Sequence, residues 1–241
     1  MPGSDEDRRR LTGVVELEGA LPDDRPGFLG RLRQLCSAVT RETPATWAGV
    51  SLIEGGIVRG TVGGSHRHAL ALEDLQFDLG EGPCLDSVRE GRPVMESDLA
   101  GAGFGRWPAY AFAAHQLGVR AVSAFPLHVG AVCVGALGVY RDWPEPLSGE
   151  AVFAASTFAD IAMQVLLSGQ AKASSGQLTP ELAEVLAPRR HVYEAQGMLM
   201  AVLDLAGPEA IARLRAHAFA LGRPLAEVAR DVVAGRLHLE R

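Results

Sequence analysis

R-R-H-V-Y-E-A-Q-G-M-L-M (Arg189–Met200) and, after a short break, L-R-A-H-A-F-A-L-G-R-P-L-A-E-V-A-R-D-V-V (Leu214–Val233) set the architecture of this chain. At about 100° per residue, Val192, Ala195, Leu199 and Val202 share one apolar stripe of a helix. Arg189, Tyr193, Gln196 and Met200 share a second stripe, which the pattern predicts to be exposed. Gly207-Pro208 and Gly222-Arg223-Pro224 punctuate the run, so three helices are expected, at about 180–204, 208–221 and 224–234. Thr179 suits the cap of the first and Pro180 its first turn, while Pro188 is expected to kink it. The result is a compact three-helix unit with one polar and basic face.

Upstream of this unit the chain changes character. Residues 1–170 hold 14 Lys/Arg against 21 Asp/Glu, and the rest hold 9 against 8. Only the C-terminal part can approach a polyanion without strong repulsion. The whole chain, 241 residues with a formal net charge of −6, is long enough for a medium domain plus a small one. Cys36, Cys84 and Cys133 are an odd number without a C-x-x-C spacing, which points to a reducing, cytoplasmic setting and not to a disulfide framework. The N-terminus M-P-G-S-D-E-D-R-R-R carries no signal-peptide pattern, and residues 1–15 are expected to be disordered. No run of roughly 18 apolar residues is read as a membrane span.

Residues 16–169 read as alternating helices and strands, with 170–178, containing Ala173-Ser174-Ser175-Gly176, as a linker to a domain at 179–241. Phe28, Leu29, Leu32, Leu35, Cys36 and Val39 recur at helical spacing. Trp47–Ile53 and Ile57–Val62 read as a hairpin around Glu54-Gly55-Gly56. A short helix is expected at Leu70–Leu75, another from Pro83 to Glu90, and a third at Pro108–Leu117. Pro93–Met95, Val119–Leu127 and Ala131–Tyr140 read as extended, and Ser148 caps a long apolar helix at about 149–169. Gly101–Gly105 reads as a loop, since no strand-to-helix context supports a nucleotide-binding turn.

F-D-L-G-E-G-P-C-L-D-S-V-R-E-G-R-P-V (Phe77–Val94) and G-V-R-A-V-S-A-F-P-L-H-V-G-A-V-C-V-G-A-L-G-V-Y (Gly118–Tyr140) resemble blocks of actinobacterial GAF domains. The resemblance implies an α+β fold: an antiparallel sheet flanked by helices. The C-terminal residues resemble an ANTAR domain, an all-α three-helix module that binds RNA in transcription antitermination. Arg189, Val192, Ala195, Gly197, Leu199 and Met200 carry that likeness, with Leu214, Arg215, Ala218, Arg223, Pro224, Leu225, Val228 and Ala229. Where that family commonly has A-K-G, this chain has Ala195-Gln196-Gly197, one cation fewer. The two likenesses together imply a GAF-ANTAR regulator, a sensor joined to an output module.

On this reading the RNA-binding residues are Arg189, Arg190, Tyr193, Gln196, Gly197, Met200, Arg215 and Arg223. A cation, a stacking ring and an amide are what readers of single-stranded RNA use. Cys84, after a glycine-rich turn at a helix start, and the adjacent Glu81 are the ligand- or redox-sensing candidates. Cys84 is expected to have a route to solvent, with Cys36 and Cys133 in the core. His66 and His68 lack a third ligand, so no metal is expected, nor a cofactor. The expected partners are RNA hairpins in nascent transcripts, an unknown small-molecule ligand and a second copy of the chain. That copy would dock on the helices at 149–169 and 180–187, with Val165 and Leu166 in the contact, since the apolar face of the first is wider than one sheet contact requires. Two alternatives stay open: a GAF-type enzyme reducing free methionine sulfoxide through cysteine, and a protein–protein signalling adaptor.

Overall fold

The computed structural model describes residues 5–17, 27–54, 57–171 and 177–239. Its centre is a five-stranded antiparallel sheet of order β2-β1-β5-β4-β3. The strands are β1 (Trp47–Glu54), β2 (Ile57–Gly64), β3 (Val94–Glu96), β4 (Ala121–Val129) and β5 (Val132–Arg141). The tip of the β1–β2 hairpin, Gly55-Gly56, lies outside the described residues. β5 sits centrally and is buried at every position from Gly135 to Arg141, as expected of a strand covered on both faces.

One face of the sheet carries α2 (Phe28–Glu42) and α7 (Gly149–Gln170). Leu29, Leu32, Cys36 and Val39 of α2 follow the i, i+3, i+4 pattern and are all buried. Ser148 caps α7 by accepting a hydrogen bond from Ala151 N at 3.2 Å. Residues 5–17 form a further helix, α1 (Asp5–Leu17), and this corrects the expectation of disorder there. Leu11 and Val15, four residues apart, enter the same apolar cluster as α2 and α7. Arg8 and Arg10 reach across to Asp160 and Glu42 at 3.0 and 2.8 Å.

The packing of α1 and α2 also settles what the wide apolar face of α7 meets. Val165 and Leu166, expected at a contact with a second copy, are buried within the chain at 3% and 5% exposure. α7 is 22 residues long and contains an 18-residue stretch of mean hydropathy 1.5, long and apolar enough to cross a membrane by length and composition alone, contrary to the sequence reading. Most of that stretch is instead buried against the sheet, α1 and α2, as in the core helix of a folded domain.

The other face of the sheet carries α3 (Arg67–Leu79) and α4 (Pro83–Glu90), with α5 (Phe104–Arg106) and α6 (Pro108–Gln116) beside them. α3 is a full 13-residue helix where the sequence promised a short one. Leu99–Gly103, expected as part of a loop, is a π-helical turn capped by Asp98. The C-terminal unit is α8 (Pro180–Leu186), a short 3-10 turn at 187–189, α9 (Arg190–Leu203), α10 (Gly207–Leu221) and α11 (Leu225–Val233). Thr179 caps α8, and Pro188 lies in the 3-10 turn that separates α8 from α9. Val192, Ala195 and Leu199 are buried in the bundle as expected. Val202 is 70% exposed, and Leu203, one residue on, takes its place in the core. A 14-residue helix turns about 100° per residue, so the end of a stripe shifts by one position when the core curves.

Candidate functional site

The polar stripe of α9 does not face solvent along its length. Arg189 is only 8% exposed. Its guanidinium donates to Val58 O of β2 at 3.2 Å and to Asp74 Oδ1 of α3 at 2.5 Å. It also lies 4.2 Å above the centre of the Phe77 ring. Tyr193 Oη donates to the same Val58 carbonyl at 3.0 Å, and its ring meets Phe77 edge-on at 6.4 Å. Arg59 lies 4.7 Å from the centre of the Tyr193 ring. From α10, Arg215 donates through Nε and Nη2 to Phe77 O at 3.0 and 2.7 Å. Gly80, in the left-handed conformation at φ 72°, ends α3 there, and a Cβ on it would come within 2.4 Å of the Arg215 guanidinium. The left-handed turn favours glycine there, and any side chain would displace the Arg215 guanidinium.

The other expected RNA-contacting residues divide differently. Gln196 donates to Gly207 O at 2.7 Å and ties α9 to the start of α10. Arg223 pairs with Asp231 at 2.8 Å, and Arg190 with Glu194 at 2.9 Å. Gly197 and Met200 are exposed on the outer side of α9. The structure thus brings Arg189, Tyr193 and Arg215 together around one ring. It leaves Arg190, Gly197 and Met200 on open surface, and engages Gln196 and Arg223 within the bundle. The expectation that Arg189 and Tyr193 lie on an exposed face is corrected, because α3 and β2 cover them.

A second polar cluster lies under α3, and the sequence reading missed it. Glu73 is fully buried. Tyr140 Oη donates to its Oε1 at 2.6 Å and Ser51 Oγ to its Oε2 at 2.8 Å. Gln76 Nε2 lies 3.3 Å from both Glu73 Oε2 and Tyr140 Oη, and its Oε1 accepts from Cys84 N at 2.8 Å. Burial pushes the Glu73 carboxyl up to about 7, against the two hydrogen bonds that favour its ionised form. Gly49 and Gly138 leave the room it fills: a Cβ on Gly138 would come within 2.5 Å of Glu73 Oε1. Tyr110 Oη, also buried, has no hydrogen-bond partner among the described residues. The signal that would have found this cluster is a Glu and a Gln three apart on the side of a helix that otherwise carries Ala69, Leu72 and Phe77. A carboxyl poised near neutrality in a closed site can respond to a ligand or a proton.

Cys84 belongs to this cluster and not to the surface, which corrects the expectation of a solvent route. It is 0% exposed, with Sγ 3.8 Å from Glu73 Oε1. Burial, then the Glu73 charge, raise its pKa well above the ordinary thiol value. The adjacent Glu81 accepts from Tyr110 N at 2.8 Å and so helps cap α6. Cys36 is sealed in the α2 core as expected, but Cys133 is half-exposed on β5, with Sγ 3.3 Å from His128 Nδ1. A maleimide probe on the native protein is accordingly expected to modify Cys133 first, with Cys36 and Cys84 protected until unfolding. Rapid labelling of Cys84, read by peptide mass, would show that its enclosure opens readily. His66 and His68 stack on each other at 5.0 Å, and His68 stacks on Trp47 at 5.3 Å. No group of three potential metal ligands occurs among the described residues.

Two family models match the chain: a GAF domain over residues 30–166 and an ANTAR domain over residues 181–233. Among solved structures, the GAF domain of a phosphoenolpyruvate-protein phosphotransferase from Acinetobacter aligns with a TM-score of 0.52 at 11% identity, over 71% of this chain and 99% of that one. Free methionine-R-sulfoxide reductase from Neisseria meningitidis, in complex with its substrate, aligns with a TM-score of 0.50 at 13% identity, over 71% and 96%. At such identities the likeness is one of fold. No curated protein matches the chain.

Proposed function

We propose, for a chain that belongs to the GAF-domain family and carries a C-terminal ANTAR domain, that it is an RNA-binding antitermination regulator. The observation that carries this reading is the convergence of Arg189, Tyr193 and Arg215, two cations and a ring, from two helices of the ANTAR domain onto one face. Such a set suits unpaired bases and phosphates, through stacking and charge-assisted hydrogen bonds. In this proposal the target is a hairpin in a nascent transcript, held so that a competing terminator cannot form. The GAF domain senses a small ligand, with the Glu73–Gln76–Tyr140 cluster as the responding element. The protein works in the cytoplasm, and two copies act together through surface outside the covered face of α7.

The test is ultraviolet crosslinking of RNA to the full chain in cells, with the crosslinked peptides mapped. Crosslinks are expected within 181–233, on stem-loop RNA. Crosslinks confined to 30–166, or none, would remove the reading. The enzyme alternative needs a reactive thiol that substrate can reach. Cys36 and Cys84 are sealed, and desolvation raises the pKa of these thiols and of the half-exposed Cys133, which disfavours the thiolate at each. Turnover of free methionine sulfoxide in a thioredoxin-coupled assay is therefore expected to be absent. Robust turnover lost in Cys84→Ser would replace the regulator with a reductase.

A further inference from the structure

We propose that α3 of the sensor domain is an internal stand-in for RNA, and that the conformation described here is the RNA-excluding one. The inference rests on the RNA-binding reading above. The three residues best suited to hold RNA are all engaged, and all with the end of one helix and the neighbouring strand. Arg189 spends its guanidinium on Asp74, Val58 O and the face of Phe77. Tyr193 spends its hydroxyl on Val58 O and sets its ring against Phe77. Arg215 closes a two-pronged contact on Phe77 O.

What α3 and the neighbouring β2 present matches, group for group, what an RNA strand presents. Asp74 supplies an anionic oxygen where a phosphate would. Asp78, one turn on, adds a second negative charge close enough to act on both Arg189 and Arg215. The carbonyls of Val58 and Phe77 are acceptors of the kind a base edge offers. Phe77 is a flat ring with two guanidinium groups 4.2 and 6.0 Å from its centre, in the place an unstacked base would take. An arginine that is 8% exposed has no open side for a phosphate, so α3 and RNA exclude each other at this face.

The consequence is quantitative. RNA meets only the fraction of molecules in which the ANTAR domain has left α3, and apparent affinity falls by that fraction. α3 carries the buried Glu73 and Gln76 on its inner side, so a ligand that rearranges that cluster acts on the helix that holds the readers.

The decisive variant is Asp74→Asn with Asp78→Asn in the full chain, titrated by fluorescence polarisation with a pool of RNA stem-loops of randomised loop sequence. Both residues are at least partly exposed, so the sensor core is untouched. Affinity is expected to rise at least tenfold over the parent. Amide exchange in residues 190–200 should rise with it. Asp142→Asn with Glu145→Gln makes the same change of charge on a distant loop and is expected to shift affinity less than threefold. Phe77→Leu, which removes the ring and keeps an apolar side chain, should act in the same direction as the α3 pair. Equal binding by parent, α3 variants and control overturns the occlusion while leaving RNA binding intact. A gain shared equally by the control would mark it as bulk charge and also overturn it. Absence of RNA binding by every variant overturns the RNA reading itself, and the occlusion with it.

Discussion

Val165→Glu is expected to unfold the sensor domain. Val165 is 3% exposed and sits in the cluster that includes Leu11, Val15, Phe28 and Leu32. A carboxylate there would lie among apolar side chains, and burying an unpaired charge, with loss of the valine's own burial, costs roughly 4–6 kcal/mol. That is comparable with the whole stability of a domain, about 5–15 kcal/mol. The readout is a melt followed by circular dichroism at 222 nm, which should lose its cooperative transition, or aggregation on expression. Leu167→Glu is the matched control: Leu167 is 48% exposed on the same helix, and its replacement should change stability by no more than about 0.5 kcal/mol. A soluble, cooperatively folded Val165→Glu protein of halved mass would show that this face meets a second copy, as the sequence alone suggested, and that α1 and α2 do not hold it.

The second large effect is a loss of stability between pH 5 and pH 8. Glu73 is raised from an ordinary 4.5 to about 7, burial being the main cause. The folded protein therefore holds this proton more tightly than the unfolded chain. The contribution is fully present below about 4.5 and is lost as pH rises through about 7. Each pH unit over which only the folded form keeps the proton is worth about 1.4 kcal/mol, so the whole loss is about 3 kcal/mol. Most of it should appear between pH 5 and 8 in urea unfolding curves. Asp78, raised to about 6 by burial and by Asp74, adds a slope of the same sign, reduced because solvent reaches it. Glu73→Gln should remove most of the difference and leave the Asp78 part. Stability that is flat or rises from pH 5 to 8 in the parent would mean that Glu73 is ionised in the fold and that the buried cluster is differently wired.

α3 connects this carboxyl to the face it shares with the ANTAR domain through residues adjacent in sequence. Glu73 and Gln76 point to the sheet, while Asp74 and Phe77 meet the ANTAR domain. A helix places such neighbours on different sides at a spacing of about 100°. A response in the sensor interior therefore needs no long path to the output, only a shift of one helix.

Much of this molecule is written locally. The apolar periodicity of Leu29, Leu32, Cys36 and Val39 specified α2, Thr179-Pro180 the start of α8, Gly222 the end of α10, and the apolar runs within Val119–Tyr140 two strands of the sheet. Those features depend on neighbours within a few residues, and a sequence carries that information directly. The helical start at Asp5 escaped because its first residues are polar and only Leu11 and Val15 mark a buried side. What the sequence could not decide was which polar stripe would be wet. Periodicity places Arg189 and Tyr193 away from their own bundle core but is silent on what lies opposite. Arg189 meets Val58 across 131 residues and Arg215 meets Phe77 across 138. Cys84 shows the same division: its place at a helix start promised a low pKa, and burial beside Glu73 reversed the sign. By itself the sequence determined most of the elements and the two families, and it singled out Arg189, Tyr193 and Arg215. Only the tertiary structure decided that those residues are occupied, because contact between distant segments is set by packing and charge, not by the local period.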